Sequence, residues 1–247
     1  MTAPFSVNGV VHLVRPVGFE ARDLQELHAG IAAASESSLF HHAIHPSLRH
    51  PFAPSLLPDD FSAWTAGVLQ DRETAERLAF AVQSGGGSPD ALRAALLLAI
   101  SESGAATSGR GYAHGGESGA FEFLEMDSVS IDLGLVAHDV TELMDHLLEA
   151  NFALFFHHVT ERPWFAHGAE TAATWVRGLG EPTLATWLEE CAHDGRPLAE
   201  SRRRLARRWL RSRVVHRLAS SAGLPEGVRQ AEARKVVSGL VRRITEN

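Results

Sequence analysis

One internal correspondence constrains this chain more than any other feature. When the 247-residue sequence is slid against itself by 116 residues, "VGFEARDLQEL" (17–27) falls on "LGLVAHDVTEL" (133–143). Gly18 meets Gly134, Ala21 meets Ala137, Asp23 meets Asp139, Glu26 meets Glu142 and Leu27 meets Leu143. The register continues without a gap through Ala34/Ala150, Phe40/Phe156, His41/His157 and His42/His158. Trp64 and Trp175 realign once the second copy loses five residues. Such a match implies a doubled unit whose copies share one architecture. The expectation is two tandem, pseudo-symmetric helical repeats. Repeat 1 covers 1–102, a Gly/Ser-rich linker 103–120, repeat 2 121–219 and a C-terminal amphipathic helix 220–247.

Local signals place the elements. Asp23 can cap a helix carrying Leu24, Leu27 and Ile31 on one face. A second apolar segment runs from Leu39 to Ile44 and stops at Pro46, and the four prolines of 45–60 exclude a long helix there. Asp59 or Asp60 caps a helix through Trp64 and Leu69. Others run from Ala75 to Val82 and from Asp90 to Ile100. The second copy has helical segments at 139–150, 152–161, 170–179, 183–191 and 198–219. Extended pieces are "VVHLVRP" (10–16), "FEFLEM" (121–126) and "VSIDLGL" (129–135). The fold class is therefore mainly α with a minor β component.

Composition narrows the functional classes. No apolar run is long enough to span a bilayer, and a lone cysteine, Cys191, excludes an internal disulfide framework and fits a reducing cytoplasm. Residues 192–247 hold 14 Lys/Arg and 5 Asp/Glu, whereas the rest of the chain holds 9 and 25. The arginine stripe of "AESRRRLARRWLRSRVVHRL" (199–218) sits on an otherwise acidic chain that repels a polyanion, so a nucleic-acid partner is disfavoured. Beyond it, Val237, Leu240, Val241 and Ile244 form an apolar stripe at helical spacing. That stripe either docks on the body or holds a protein partner or a second copy.

The stretch "SLFHH" (38–42), His50 and "PDDFSAWTAGVLQDRETAERLA" (58–79) together resemble a bacterial family of unknown function, DUF5752. In that family a helix ending in aromatic and His residues leads into a proline-rich loop, then an Asp-Phe pair before a Trp. The matching positions are His42, His50, Asp60, Phe61 and Trp64. The resemblance covers roughly 10–100, with a degenerate second match at 121–215 that lacks the Asp-Phe pair. It implies no reaction.

The histidines are the candidate chemistry. His41 and His45 lie at i, i+4, so a helix would project both imidazoles from one face; the offset sets His157 and Glu161 on them. If the copies pack about a pseudo-twofold axis, these four side chains converge on a site of mixed His/carboxylate character suited to zinc, iron or manganese. His42, His50, Asp60, His158 and His167 are secondary candidates. The competing reading makes them core residues that end buried helices, and no complete metal motif such as HExxH decides for the site. No nucleophile motif or phosphate loop stands out. The leading expectation is a non-catalytic binding, scaffold or assembly protein. Its rival is a metal-dependent enzyme or metal sensor that uses His41, His45, His157 and Glu161. A small-molecule binder with its pocket between the repeats is a third reading.

Overall fold

Two long strands organise the molecule. In the computed structural model, which describes residues 3–52, 55–85, 87–102, 119–193 and 195–220, β1 (Phe5–Ala21) and β2 (Phe121–Ala137) pair antiparallel as a two-stranded ribbon. The three short extended pieces read from the sequence are thus parts of two 17-residue strands. Pro16, which donates no ladder hydrogen bond, sits beside a register shift between Pro16 and Glu20, and Gly18 there has φ +80°. His12 pairs with Ser128 at mid-ribbon, between a Phe5↔Ala137 pair at one end and Ala21↔Phe121 at the other.

The remaining described chain is mainly helical. Asp23 caps α1 (Leu24–Ala33) by accepting from Glu26 N–H, Ser35 caps α2 (Glu36–Ala43), and a short α3 spans Pro46–Arg49. Asp59 caps α4 (Asp60–Gly67); α5 (Arg72–Gly85) and α6 (Pro89–Ser101) follow. After β2, Asp139 caps α7 (Val140–Glu149) and Asn151 caps α8 (Phe152–Phe156). The helix anticipated over 152–161 widens into a π-turn at His157–Glu161 and runs on as α9 (Arg162–Trp164). Then come α10 (Ala172–Gly178), α11 (Pro182–His193) and α12 (Leu198–Ser220). Met1–Ser201 form one compact unit and Arg202–Asn247 a second. Most of the expected linker, and the C-terminal helix beyond Ser220, lie outside the described residues.

Contacts between strands and helices come in matching sets. Trp64 Nε1 donates to Gly119 O at 2.8 Å, and Trp175 Nε1 donates to Ala3 O at 2.7 Å. His42 Nε2 accepts from Leu124 N–H at 2.9 Å, and His158 Nε2 accepts from Asn8 N–H at 3.1 Å. Phe121 packs on the rings of His42 and Trp64, whereas Phe5 packs on His158 and Trp175. The helices that carry His42 and Trp64 therefore fasten to the second strand, and those that carry His158 and Trp175 fasten to the first. Phe40 and Phe156, 5.8 Å apart between centroids, join the two groups of helices in a core that includes Leu39, Phe61, Phe155 and Trp175. Each fully buried aliphatic or aromatic side chain of this kind contributes about 1.5–3 kcal/mol.

Gly30 marks the tightest approach of ribbon and helix. A Cβ there would lie 2.4 Å from the Phe123 ring and 2.7 Å from Phe19. Gly30→Ala should therefore destabilise the protein by about 1–3 kcal/mol through overpacking, despite alanine's better helix propensity. Urea denaturation checks this, and a gain in stability would mean that the rings have room to shift.

Candidate functional site

The inward face of the ribbon's midpoint carries His12 and Ser128, and both reach Glu161 on the π-turn. His12 Nε2 lies 3.0 Å from Glu161 Oε2, His157 Nδ1 lies 3.0 Å from the same oxygen, and Ser128 Oγ donates to Oε1. Glu161 is 1% exposed. Burial opposes its ionisation, but the hydrogen bonds from His12, His157 and Ser128 outweigh that and hold its carboxyl down to about 2. His12 also meets the His45 ring edge-on at 4.9 Å, and His45 stacks on His41 at 5.6 Å. The four residues singled out from spacing, His41, His45, His157 and Glu161, thus fall into one group. His12 links their two halves.

The nitrogens of this group differ in what they face. Among the described residues, neither nitrogen of His45 nor Nδ1 of His41 or His158 has a hydrogen-bond partner, although all are buried. His42 is committed: the Leu124 N–H fixes Nε2 as an acceptor, so Nδ1 carries the proton towards Asp60 Oδ2 at 3.1 Å. Asp60 also receives Arg49 at 2.5 Å. His41, His42 and Asp60 place ligand atoms within 4.8 Å of one another. Even so, His42 could give Nδ1 to an ion only by surrendering its bond to the ribbon backbone. His50 is exposed after α3, and His167, at φ +40°, pairs with Glu36 at 3.2 Å; no bond or ring contact joins either to the central group.

Sequence reasoning missed His12 and Ser128. The signal was present, because His12 is the polar break in "VVHLV" and Ser128 stands 116 residues later, in the register that pairs the other histidines.

With this geometry in view, comparison with known proteins places the chain. A family model described as "Family of unknown function (DUF5752)" matches residues 2–209, across both strands and both groups of helices. The chain belongs to the DUF5752 family. Its fold is similar to that of OrfY from Thermoproteus tenax, with a TM-score of 0.65 and 22% identity over 83% of this chain and 95% of that one. No curated protein matches it. Among the described residues, no helix of this DUF5752 chain is long and apolar enough to cross a membrane.

Electrostatics make the central group acid-sensitive. Burial, reinforced by neighbouring cations and imidazoles, lowers His41, His45 and His158 from 6.5 to about 4. Each binds a proton more readily in the unfolded chain, so stability is intact above pH 6.5 and is lost as pH falls towards 4. Glu161 extends the loss from pH 4.5 towards 2. Buried Asp59, pushed up from 3.8 to about 6, works in the opposite sense but is one group against three. The urea midpoint should therefore fall steadily below pH 6.5. Glu161→Gln, which leaves His12 and His157 facing an uncharged amide, should cost roughly 3 kcal/mol at pH 7 and remove the share of the acid loss that runs from pH 4.5 towards 2. An acid limb unchanged in that variant would sink this assignment.

Proposed function

We propose that this DUF5752 protein is a non-catalytic binding and assembly protein built from a duplicated helical unit. The single observation that carries the reading is the outer face of the ribbon. Val11, Val129, Leu13 and Ile131 share that face by register, and Leu133 lies over Gly9 beside them; all five are between 42% and 57% exposed. An apolar strip of this kind on a two-stranded ribbon marks an interaction surface. Its inward side is taken by helices, and the histidines there largely serve as hydrogen-bonding fasteners. The matching sets of contacts at the 116-residue offset support the duplication, with the His12/Ser128 pair on its pseudo-twofold axis.

The occupant of the strip is a second copy of this chain. The strip is apolar on both strands, and at its end Arg15 pairs with Glu125 and Asp127 of the same ribbon, so a second copy of the strip can cover it without meeting an unpaired charge. In sedimentation equilibrium the full chain should associate. Val11→Asp/Val129→Asp should weaken association at least about 100-fold, because the carboxylates would be buried unpaired. Truncation after Gly223 tests the C-terminal stripe separately. A chain that stays monomeric at all concentrations, or a double variant that associates as well as the parent, overturns the reading.

A second reading is favoured by the unpartnered nitrogens of His41 and His45. Neutral imidazole suits zinc, iron or manganese, and His41 and His45 hold three buried nitrogens without a partner among the described residues, with the His45 ring against His12, which bonds Glu161. Such an ion would make the protein a metal sensor or a metal-dependent enzyme. Metal content is measured on untagged protein purified without chelator, and on His41→Ala/His157→Ala. One tightly held ion per chain, lost in the variant while the fold survives, would establish this second reading. No ion, with a variant that is merely less stable, leaves the histidines as packing and hydrogen-bonding groups.

A further inference from the structure

A cavity of about 350 Å³ lies within the first unit, away from the outer face of the ribbon. One wall comes from α3, α4 and α5. The other comes from the π-turn, α9 and the segment leading into α12. Its volume falls in the range that holds small organic ligands. Ile44, Leu57, Val82 and Trp164 supply apolar surface, and Arg49 and Arg196 supply cations.

The acids on the wall are occupied by the protein itself. Asp59 accepts from Ser62 N–H at 2.8 Å and from its hydroxyl at 2.6 Å, as the cap of α4. Asp60 is held by His42 and by Arg49. Arg49 spends one N–H edge on Asp60, while its guanidinium carries five donors and half of its side chain remains exposed. Arg196, which pairs with Glu200, adds a second positive charge to the cavity wall. An incoming cation would find both carboxylates taken. An incoming anion would find Arg49 donors and the positive charge of Arg196 bordering an apolar chamber.

We propose that this cavity binds a small organic anion, an apolar body bearing one carboxylate, phosphate or sulfonate group, with the body against Ile44, Leu57, Val82 and Trp164 and the anionic group at Arg49 and Arg196. The site is independent of the association surface, and its lining shares no residue with the His41, His45, His157 and Glu161 set. Because its walls come from helices on either side of the second strand, ligand binding clamps the two groups of helices together. Asp60 continues the contact through His42 to the Leu124 backbone of β2.

The test uses a matched pair of fluorescent probes on the full chain. One is 1-anilinonaphthalene-8-sulfonate, which carries an anionic group, and the other is N-phenyl-1-naphthylamine, which lacks one. The sulfonate should bind saturably, one per chain. Arg49→Gln and Arg196→Gln should each weaken it at least about tenfold while leaving the neutral probe unchanged. Ala63→Trp, at an exposed position on the cavity wall, should exclude both probes. Val11→Asp/Val129→Asp should exclude neither. Circular dichroism checks each variant's fold, and Arg196→Gln, a change on a solvent-facing side chain, keeps the test usable if Ala63→Trp fails to fold. Sulfonate binding that survives Ala63→Trp would place the probe elsewhere and overturn the proposal. So would equal affinity for both probes that neither arginine substitution alters.

Discussion

A carboxylate taken out of water costs several kcal/mol unless protein donors replace the water, and Glu161 obtains three of them from three different segments. His12 comes from the first strand, Ser128 from the second, and His157 from the Glu161 turn itself. Removing any one segment would leave a buried charge short of a donor. The bond therefore specifies register as well as adding stability. A slip of either strand by one residue would turn His12 or Ser128 to the outer face and bring Val11 or Leu13, or Val129 or Asp127, towards the carboxylate in its place. Mid-ribbon pairing, the π-turn and the two groups of helices are all referenced to this one point.

The π-turn is what lets Glu161 serve. Its wider winding puts His157, His158 and Glu161 all in the interior, whereas a regular α-helix would rotate part of the run outward. The corresponding segment of the first group ends instead at His45, followed by Pro46, and presents imidazoles where the later segment presents a carboxylate. That difference gives the centre its mixed character: one fully bonded anion beside neutral rings with unused nitrogens.

Much of this was legible from residues alone. Asp23 caps the helix that its spacing announces, and of the Asp59/Asp60 alternatives it is Asp59 that caps α4, because a short acceptor before an apolar-periodic run has few other uses. The 116-residue offset set His157 and Glu161 on His41 and His45, and the contacts that join the two pairs run through His12. Other features could not be read locally. The pairing of β1 with β2 depends on partners more than a hundred residues apart. The continuity of each strand past Pro16 or through Ser128 shows no clean alternation. The π-turn has no compositional mark, since nothing in "HHVTE" separates it from the regular helix expected over 152–161. His12 was passed over because a polar residue in a short strand ordinarily faces solvent, and here the ribbon turns that face to the interior.

The exchange of partners between strands and helices also dictates an order of events at the ribosome. The indole of Trp64 waits for Gly119, and the imidazole of His42 waits for Leu124, so the N-terminal helices emerge with their closing contacts not yet synthesised. At roughly 5–20 residues per second, β1 spends on the order of ten seconds without its mate, a long exposure for an edge rich in valine. Nascent chains crowded on one message are then in a position to pair with each other's strands, and the same exchange that knits one molecule could link two at birth.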